Sequence, residues 1–423
     1  MPPLRVLIYS QRFPFPMDTG GKIRTGQLLK QLNKQLHITL VTNMEKGKDD
    51  GSIEQVKALC SEYHPISWKE AEKYSIRFFL KVIVRVFSSR PISIVNDYSK
   101  KVEQKLCELI GQQDFDLVIC DFLQPSLNFE KIRSLPSILF EHNVEYVIPE
   151  RHYLNSKNFF IRWFWKSQWN KMERYEKEAC QKFTGVIVVS VQDQQCLKKL
   201  TGKKEIFAIP TGVDANYFVP PLEPCAKNSL VFSGSMDWIP NEDGISYFVS
   251  EILPLIQKHI PGVTLTVVGR NPTPALKKLA ENVRGVEFVG RVDDVRPFIG
   301  KCAVYIVPLR IGGGTRIKIF EAMAMGMAVV STSIGAEGLP VVSDKNCLLA
   351  DSPERFSDAV VKLLHDEMLR QQIGRAARKF VEDDFTWEKV SEVFSSICYE
   401  IAGKPSAHGD KPGNARINGT DAF

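Results

Sequence analysis

The chain has 423 residues, of which 44% are hydrophobic and 25% are charged, the balance of an ordinary globular protein. This composition excludes a largely disordered chain and a fibrous repeat, and the length suggests two or three domains of roughly 100–200 residues each. The formal net charge of +6 is too small for this length to indicate nucleic acid as a partner.

The N-terminal residues predict a cytoplasmic protein. The first apolar run is only a few residues long, whereas a signal peptide needs a basic start and a longer apolar stretch. No window approaches the roughly 20 apolar residues that span a bilayer, so the alternative location is peripheral, on the inner face of a membrane. Nine cysteines lack a CxxC pair or a Cys/His cluster at metal spacing, which is typical of reduced thiols and indicates no metal site.

Short apolar strands alternate with amphipathic helices along most of the chain. Uninterrupted runs of Val, Ile and Leu are typical of strands buried on both faces, as in a parallel sheet covered by helices. The strands predicted in the first half are 6–10, 38–43, 117–122, 137–142, 186–190 and 206–210. Those predicted in the second half are 230–234, 265–269, 286–290, 304–308 and 328–332. We therefore predict an α/β chain of two doubly wound units, each of about 200 residues.

Two segments of the first half carry an excess of positive charge. Residues 68–90 contain six basic and two acidic residues, and residues 157–182 contain seven basic and three acidic residues. The second segment also places Trp163, Trp165 and Trp169 close together. Basic amphipathic helices with aromatic residues are typical of contacts with an anionic membrane surface. The alternative is that both helices pack on the core and expose a solvated basic face.

A domain boundary is predicted at 209–228, which is rich in proline and has no hydrophobic period. The segment would link an N-terminal domain of residues 1–208 to a C-terminal domain of residues 229–384. A further helix is predicted at 385–402. Residues 403–423 are rich in Gly, Pro, Asn and Asp and lack an apolar period, so we expect a disordered tail.

The strongest chemical signal lies between the predicted strands 304–308 and 328–332. A glycine-rich turn leads there into a predicted helix, with the residues Gly312, Gly313, Gly314 and Thr315. Glycines let the backbone approach a ligand, and a helix start offers unpaired N–H groups with partial positive charge. Arg316 and Lys318 add full charges, so the segment favours a diphosphate, and Glu321 could accept hydrogen bonds from ribose hydroxyls. The alternative is a plain strand-to-helix turn with a surface glutamate.

The segment EAMAMG (321–326) resembles the donor-binding region of family-4 retaining glycosyltransferases of the GT-B architecture. The signature of that family is a pair of glutamates separated by seven residues. Glu321 matches the second glutamate, and the resemblance implies that it holds the nucleotide ribose. The first would fall at Gly313 and is absent, so a contact that the family makes near the donor sugar is missing.

Further matches extend the resemblance over nearly the whole chain up to residue 402. IPTGVDANYFVP (209–220) is similar to the family's linker, and FTWEKV (385–390) resembles the segment before the last helix, which in the family returns to the N-terminal domain. MDTGGKIRT (17–25) resembles a glycine loop that touches the donor phosphates and implies this role for Gly20 and Gly21. The fold so implied is two Rossmann-like domains facing each other across a cleft, the acceptor on the N-terminal side and the nucleotide-sugar on the C-terminal side.

One departure from the family concerns the phosphate charges. Many members carry an Arg and a Lys after the first strand of the C-terminal domain, whereas FSGSMDWIPNEDG (232–244) contains no basic residue. Arg316 and Lys318 would then compensate the phosphates, with Arg270 and Arg291 at strand ends in reserve. FSGSMDWIPN, GGGTRIKI and STSIGAEG together resemble a subgroup of sugar transferases associated with bacterial exopolysaccharide and exosortase systems.

Four more residues are candidates. His142 follows a predicted strand and looks like the family histidine that faces the transferred sugar, although a lone histidine is commonly structural. Glu141 beside it is a weaker candidate. Glu337 could lie near the sugar and replace part of the missing glutamate, or be a loop charge. Asp121 lies at the end of another predicted strand, and we expect it to have a structural role.

The resemblance implies transfer of a sugar from a nucleotide diphosphate donor to a glycan or lipid-linked acceptor, with retention of the anomeric configuration and without a metal or other cofactor. The expected setting is exopolysaccharide or other glycoconjugate synthesis, with an anionic membrane surface as a further partner and no nucleic acid. Two alternatives remain open, a nucleotide-sugar epimerase on the same fold and a non-catalytic scaffold that binds a nucleotide-sugar.

Overall fold

The structure is a computed structural model that describes residues 2–68, 88–281, 283–311 and 316–405. They form two compact units. The first contains the described residues up to Pro210 and those from Val390 onward, and the second contains Thr211–Lys389. Most of the basic segment 68–90 and of the predicted tail 403–423 lies outside the described residues.

The first unit is built on a parallel sheet in the order β3-β2-β1-β4-β5-β6-β7. Its strands are β1 (Arg5–Ser10), β2 (His37–Met44), β3 (Glu62–Ser67), β4 (Leu117–Asp121), β5 (Ser137–Phe140), β6 (Gly185–Val188) and β7 (Ile206–Ala208). Its helices are α1 (Gly20–Leu32), α2 (Ile53–Lys57), α3 (Ile92–Asp97), α4 (Lys100–Gln112), α5 (Val147–Asn155), α6 (Phe159–Lys182) and α7 (Val191–Thr201). The central strands are buried along their whole length because helices cover both faces of the sheet.

The second unit has a parallel sheet in the order β10-β9-β8-β11-β12-β13. Its strands are β8 (Ser229–Ser233), β9 (Thr264–Val268), β10 (Val286–Gly290), β11 (Val304–Val307), β12 (Ala328–Ser331) and β13 (Leu348–Leu349). Its helices are α8 (Ile239–Tyr247), α9 (Leu253–His259), α10 (Pro274–Glu281), α11 (Arg296–Gly300), α12 (Ile317–Ala324), α13 (Pro353–His365) and α14 (Glu367–Asp384). The prediction of two doubly wound parallel sheets is confirmed.

Strand order decides where ligands can approach each unit. The order reverses between β1 and β4 in the first unit and between β8 and β11 in the second. In open α/β sheets the crevice for a ligand lies outside the carboxyl ends of the strands at such a reversal. The loops that follow these strands are therefore the places where site residues are expected.

The last helix, α15 (Trp387–Ile401), begins among residues of the second unit and continues into the first. Phe394 on this helix is buried in the first unit, where its ring packs edge-on against Phe140 with 5.3 Å between ring centres. A chain segment almost 400 residues from the N-terminus thus completes the packing beside β5.

We expect Phe394→Ala to lower the free energy of unfolding of the first unit by about 3–4 kcal/mol, because it removes a buried aromatic ring and leaves a cavity. Urea titration followed by tryptophan fluorescence measures this change. The matched control is Met368→Ala on α14, where the side chain is 83% exposed and the change should stay within about 0.5 kcal/mol. Equal effects of the two substitutions would contradict the packing described for α15.

Candidate functional site

Lys318 is the central cation at the carboxyl ends of the second sheet. It lies one residue into α12 and is partly buried, and its ammonium nitrogen donates a hydrogen bond to Oδ1 of Asn241 at 2.7 Å. The same nitrogen lies 4.3 Å from the centre of the Phe232 ring. Burial lowers the pKa of Lys318 to about 7, with the charge of Arg316 acting in the same direction and that of Glu321 opposing it. Lys318 is therefore held by a neutral amide.

The loop after β8 makes room for this ammonium group. Gly234 has a φ of 155°, and a Cβ atom there would lie 2.8 Å from Nζ of Lys318 and 2.8 Å from Nδ2 of Asn241. Any larger residue would push the lysine out of its position. Asn241 is itself fixed, because its Nδ2 donates to the carbonyl oxygen of Ser235 at 2.8 Å.

Arg316 precedes α12 with a φ of 52°, in the left-handed region that costs energy for a residue other than glycine. Its buried guanidinium donates to the carbonyl oxygen of Ile334 at 2.7 Å and lies 3.3 Å from Oε2 of Glu337. The Glu337 side chain is 49% exposed. The loop after β12 thus holds Arg316, and Glu337 lies beside its guanidinium.

Glu321 lies one turn after Lys318 on α12, so the two side chains share a face of the helix. The residue is partly buried. Burial raises the pKa of its carboxyl group to about 7, and the charge of Lys318 opposes this rise. Such a carboxyl group gains from hydroxyl donors, since hydrogen bonds to its charged form replace the solvation that burial removed.

Arg270, at the end of β9, forms a hydrogen bond to the same loop, but its positive charge already has a carboxylate partner. Its Nε donates to the hydroxyl of Ser235 at 2.8 Å and lies 3.8 Å from a carboxylate oxygen of Asp237. Asp237 also accepts hydrogen bonds from Ser235 and Asn271, and the bond from Ser235 is the main reason that the pKa of Asp237 is lowered. Arg270 therefore has a carboxylate partner, whereas Lys318 has an amide.

Five of the predicted site residues lie in this part of the second unit, namely Arg270, Arg316, Lys318, Glu321 and Glu337. Lys318, Asn241, Ser235 and Arg270 form a connected series of hydrogen bonds across the ends of β8 and β9. Arg316, Glu321 and Glu337 lie on or beside α12. The predicted residues Gly312, Gly313, Gly314 and Thr315 lie outside the described residues.

Sequence reasoning missed Gly234 and Asn241. Both stand in the segment 232–244, which was notable for its lack of basic residues. The signal that could have found them is positional, because a glycine after the first strand and a polar residue near the start of the next helix border the crevice of a parallel sheet. Their partner Lys318, which is 77 residues beyond Asn241, could not be predicted from local sequence.

In the first unit, His142 is part of a buried hydrogen-bonded group. Its Nε2 lies 2.7 Å from Oδ1 of Asp121, and the other oxygen of Asp121 accepts hydrogen bonds from the hydroxyls of Ser10 and Thr25, both at 2.8 Å. Burial lowers the pKa of His142, which Asp121 opposes. A neutral ring that donates from Nε2 leaves Nδ1 as an acceptor, and Nδ1 is buried with no hydrogen-bond partner among the described residues.

Phe122 covers His142 and contacts the start of α1. The two rings are stacked with 3.8 Å between their centres, and the guanidinium of Arg12 lies 4.8 Å from the centre of the Phe122 ring. A Cβ atom on Gly21 would lie 2.9 Å from the Phe122 ring, so glycine permits this close approach. Gly20, the first residue of α1, precedes it. The contact of His142 with a sugar stays a prediction.

The loop after His142 is fixed by a buried carboxyl group. Glu176 on α6 accepts hydrogen bonds from the backbone N–H groups of Glu145 and Tyr146, both at 2.7 Å. Burial raises the pKa of Glu176 to about 8 and raises that of Glu141 as well, which lies next to Glu176. Glu141 therefore belongs to a structural cluster beneath the loop.

Within the described residues, no group of three or more His, Cys, Asp or Glu side chains is arranged to hold a metal ion. None of the described helices combines the length and the apolar character that crossing a bilayer requires.

Comparison with known sequences finds a family match within the second unit. Residues 227–366 match the family model described as "Glycosyl transferases group 1". The chain is 20% identical over 407 residues to an uncharacterized 44.6 kDa protein in the cps region of Klebsiella pneumoniae, a match that covers 94% of this chain and 99% of that protein. It is 28% identical over 205 residues to a GDP-mannose-dependent phosphatidylinositol monomannoside mannosyltransferase of Mycobacterium tuberculosis, covering 43% of this chain and 53% of that enzyme.

Comparison with solved structures identifies the fold. A sucrose-phosphate synthase from Thermosynechococcus elongatus has a TM-score of 0.71 at 18% identity, covering 95% of this chain and 99% of that one. HepE from Anabaena, solved in complex with UDP-glucose, has a TM-score of 0.64 at 14% identity, covering 95% and 100%. The two parallel-sheet units have the fold of GT-B glycosyltransferase structures, and residues 227–366 match the model of the group 1 glycosyltransferases.

The raised pKa of Glu321 predicts a pH-dependent stability. An acid whose pKa is higher in the folded state stabilises the fold at low pH, and this contribution is lost as the pH rises through about 7. Glu321→Gln stays neutral, so we expect its stability relative to wild type to increase between pH 5 and pH 8. Urea titrations at each pH measure the difference. Glu287→Gln on the exposed edge of β10 is the control, and a parallel trend in both variants would contradict the assignment.

Proposed function

We propose that the chain is a retaining glycosyltransferase of family 4, which transfers a sugar from a nucleotide diphosphate donor to a glycan or lipid-linked acceptor. The observation that carries the proposal is the group formed by Arg316, Lys318 and Glu321 at the start of α12, within the group 1 glycosyltransferase domain. Two cations and one partly buried carboxyl group match the two parts of a nucleoside diphosphate, its phosphates and its ribose.

In this proposal Arg316 and Lys318 bind the diphosphate, and the ribose hydroxyls donate hydrogen bonds to Glu321. A diphosphate would restore the full positive charge of Lys318, because an anion beside a lysine raises its pKa. The guanidinium of Arg316 can form paired hydrogen bonds to phosphate oxygens. The lack of basic residues in 232–244 is then compensated from α12, and Asn241 positions one of the two cations.

The chemical step follows from the charge that develops on the donor. As the bond from the anomeric carbon to the diphosphate oxygen breaks, negative charge collects on the leaving group. Arg316, Lys318 and the backbone N–H groups at the start of α12 stabilise this charge most when it is fully developed, which lowers the barrier. The acceptor oxygen forms the new bond to the anomeric carbon, and its proton passes to the departing phosphate.

The wider setting of the proposal is the synthesis of an exopolysaccharide or another glycoconjugate in the cytoplasm. It is supported by the similarity to a protein of a cps region and to a phosphatidylinositol monomannoside mannosyltransferase. Gly20, Gly21, His142 and the glycine-rich turn keep their predicted roles toward donor phosphates and sugar as part of the proposal. Glu337 acts on the donor through Arg316, as a positioning residue.

We expect Arg316→Ala and Lys318→Ala each to weaken the binding of a nucleoside diphosphate by about 1.5–3 kcal/mol, the usual contribution of a hydrogen bond to a charged group. Isothermal titration calorimetry with the nucleoside diphosphate that binds wild type measures this loss. Arg310→Ala is the matched control, since Arg310 precedes the same turn but is paired with Asp243 at 2.7 Å. Unchanged affinity in both α12 variants would refute the phosphate assignment.

We expect transfer, or slow hydrolysis of the donor, when the protein is incubated with radiolabelled nucleotide-sugars and lipid-linked or glycan acceptors. NMR of the product should show the anomeric configuration of the donor. Interconversion of sugars without release of nucleoside diphosphate would support an epimerase instead. Binding without turnover across the panel would support a scaffold, for which the absent first glutamate at Gly313 is the motivating feature.

A further inference from the structure

The junction of α5 and α6 carries apolar side chains that nothing in the described structure covers. Their exposed fractions run from 51% to 77%, far above those of core residues. They are Leu154, Phe159, Phe160, Ile161 and Trp163, and we call them the α5–α6 tip. Such a cluster of large exposed apolar side chains marks an interaction site on a protein surface.

The exposure belongs to an ordered helix start. The side chain of Asn158 caps α6 by accepting hydrogen bonds from the backbone N–H groups of Phe160 and Ile161, at 2.9 and 3.2 Å. Helix α5 packs against the first part of α6, because the ring of His152 stacks on that of Trp165 with 4.3 Å between ring centres. The tip is therefore presented by two packed helices and not by a loose loop.

Positive charge surrounds the tip. Residues 151–171 contain no acidic residue, and the basic side chains among them are Arg151, Lys157, Arg162, Lys166 and Lys171. Two of these cations lie on aromatic rings, with Lys166 3.9 Å from the centre of the Trp169 ring and Arg162 4.8 Å from that of Tyr153. A surface that complements this pattern carries negative charges and has an apolar layer beneath them.

The two interpretations of the basic helix 157–182, membrane contact and core packing, apply to different halves of α6. In the second half Met172, Tyr175, Ala179 and Cys180 are buried in the core of the first unit. In the first half Phe159, the first residue of the helix, is 75% exposed. Core packing thus accounts for the second half of the helix and leaves the tip without a partner among the described residues.

We propose that the α5–α6 tip docks onto an anionic lipid bilayer. The apolar side chains enter the region between headgroups and acyl chains, and the surrounding cations lie at the level of the lipid phosphates, as in interfacial amphipathic helices. This inference rests on the proposed function only in that a lipid-linked acceptor would be found at such a surface. Docking itself requires no donor and no turnover.

The helix also relates the docked surface to the buried group around His142. Thirteen residues separate Trp163 from Glu176, which at 1.5 Å per residue is about 20 Å along α6. Glu176 fixes the loop that follows His142 through its bonds to Glu145 and Tyr146. Docking of the tip would therefore keep that loop within about 20 Å of the interface.

The test is flotation of the full chain with vesicles of phosphatidylcholine alone and with vesicles that also contain phosphatidylglycerol. We expect binding to the anionic vesicles at low salt, weakening at high salt because the charges are screened. Phe159→Ser/Phe160→Ser and Lys157→Glu/Arg162→Glu should each lower the partition coefficient at least tenfold. The matched controls are Leu222→Ser/Met368→Ser for exposed apolar area and Lys227→Glu/Lys345→Glu for charge, both in the second unit.

Several outcomes would overturn the proposal. These are no association with either vesicle, equal binding to neutral and anionic vesicles, or equal losses in the tip variants and their controls. Sedimentation showing a dimer that Phe159→Ser/Phe160→Ser dissociates would assign the tip to a second copy of the chain. Thermal melting confirms that each variant is folded. Nucleoside diphosphate binding, measured on the same samples, separates this proposal from the proposed function, because either result can fail while the other holds.

Discussion

The hydrogen bond from Lys318 to Asn241 is the contact on which the candidate donor site depends. A partly buried ammonium group needs a partner, and the usual partner is a carboxylate. Within the described residues, no carboxylate oxygen lies within the 4.0 Å of an ion pair with Lys318. A neutral amide accepts one hydrogen bond and brings no negative charge, which supports the proposal that an anionic ligand binds here. The pKa of Lys318 is lowered because burial disfavours its charged form.

Three arginines of the second unit show the contrast. Arg270 lies 3.8 Å from Asp237, Arg296 lies 2.7 Å from Asp294, and Arg310 lies 2.7 Å from Asp243. A diphosphate that bound any of these arginines would have to displace a carboxylate. The loss of that ion pair would offset part of the binding free energy. Arg316 is intermediate, since its carboxylate partner Glu337 is about half exposed and can regain hydration when a phosphate takes its place. Charge pairing thus separates cations suited to binding a ligand from those that hold the fold.

The fold was more accessible to sequence reasoning than the site. Strands such as 6–10, 117–122 and 304–308 are predictable because burial on both faces demands continuous runs of Val, Ile and Leu. Arg316, Lys318 and Glu321 could be selected because their chemistry and their position at a helix start are local. The partner of Lys318 could not, since Asn241 meets it only after β8 and β11 have become neighbours in the sheet. The same holds for the pairing of Arg316 with Glu337, which depends on the loop after β12.

In the first unit, helix α6 shows how one element can meet two physical demands. Its second half must be apolar toward the core, and it carries in Glu176 a buried acid that satisfies two backbone N–H groups in the loop after His142. Each of those groups would cost about 1–3 kcal/mol if it were left unpaired in the interior, and Glu176 removes this cost. Among the described residues, Phe159, Phe160 and Trp163 at the start of the helix have no such core partner, and they stand among cations instead. Because the helix is continuous, whatever binds the first half also constrains the orientation of the loop that the second half holds.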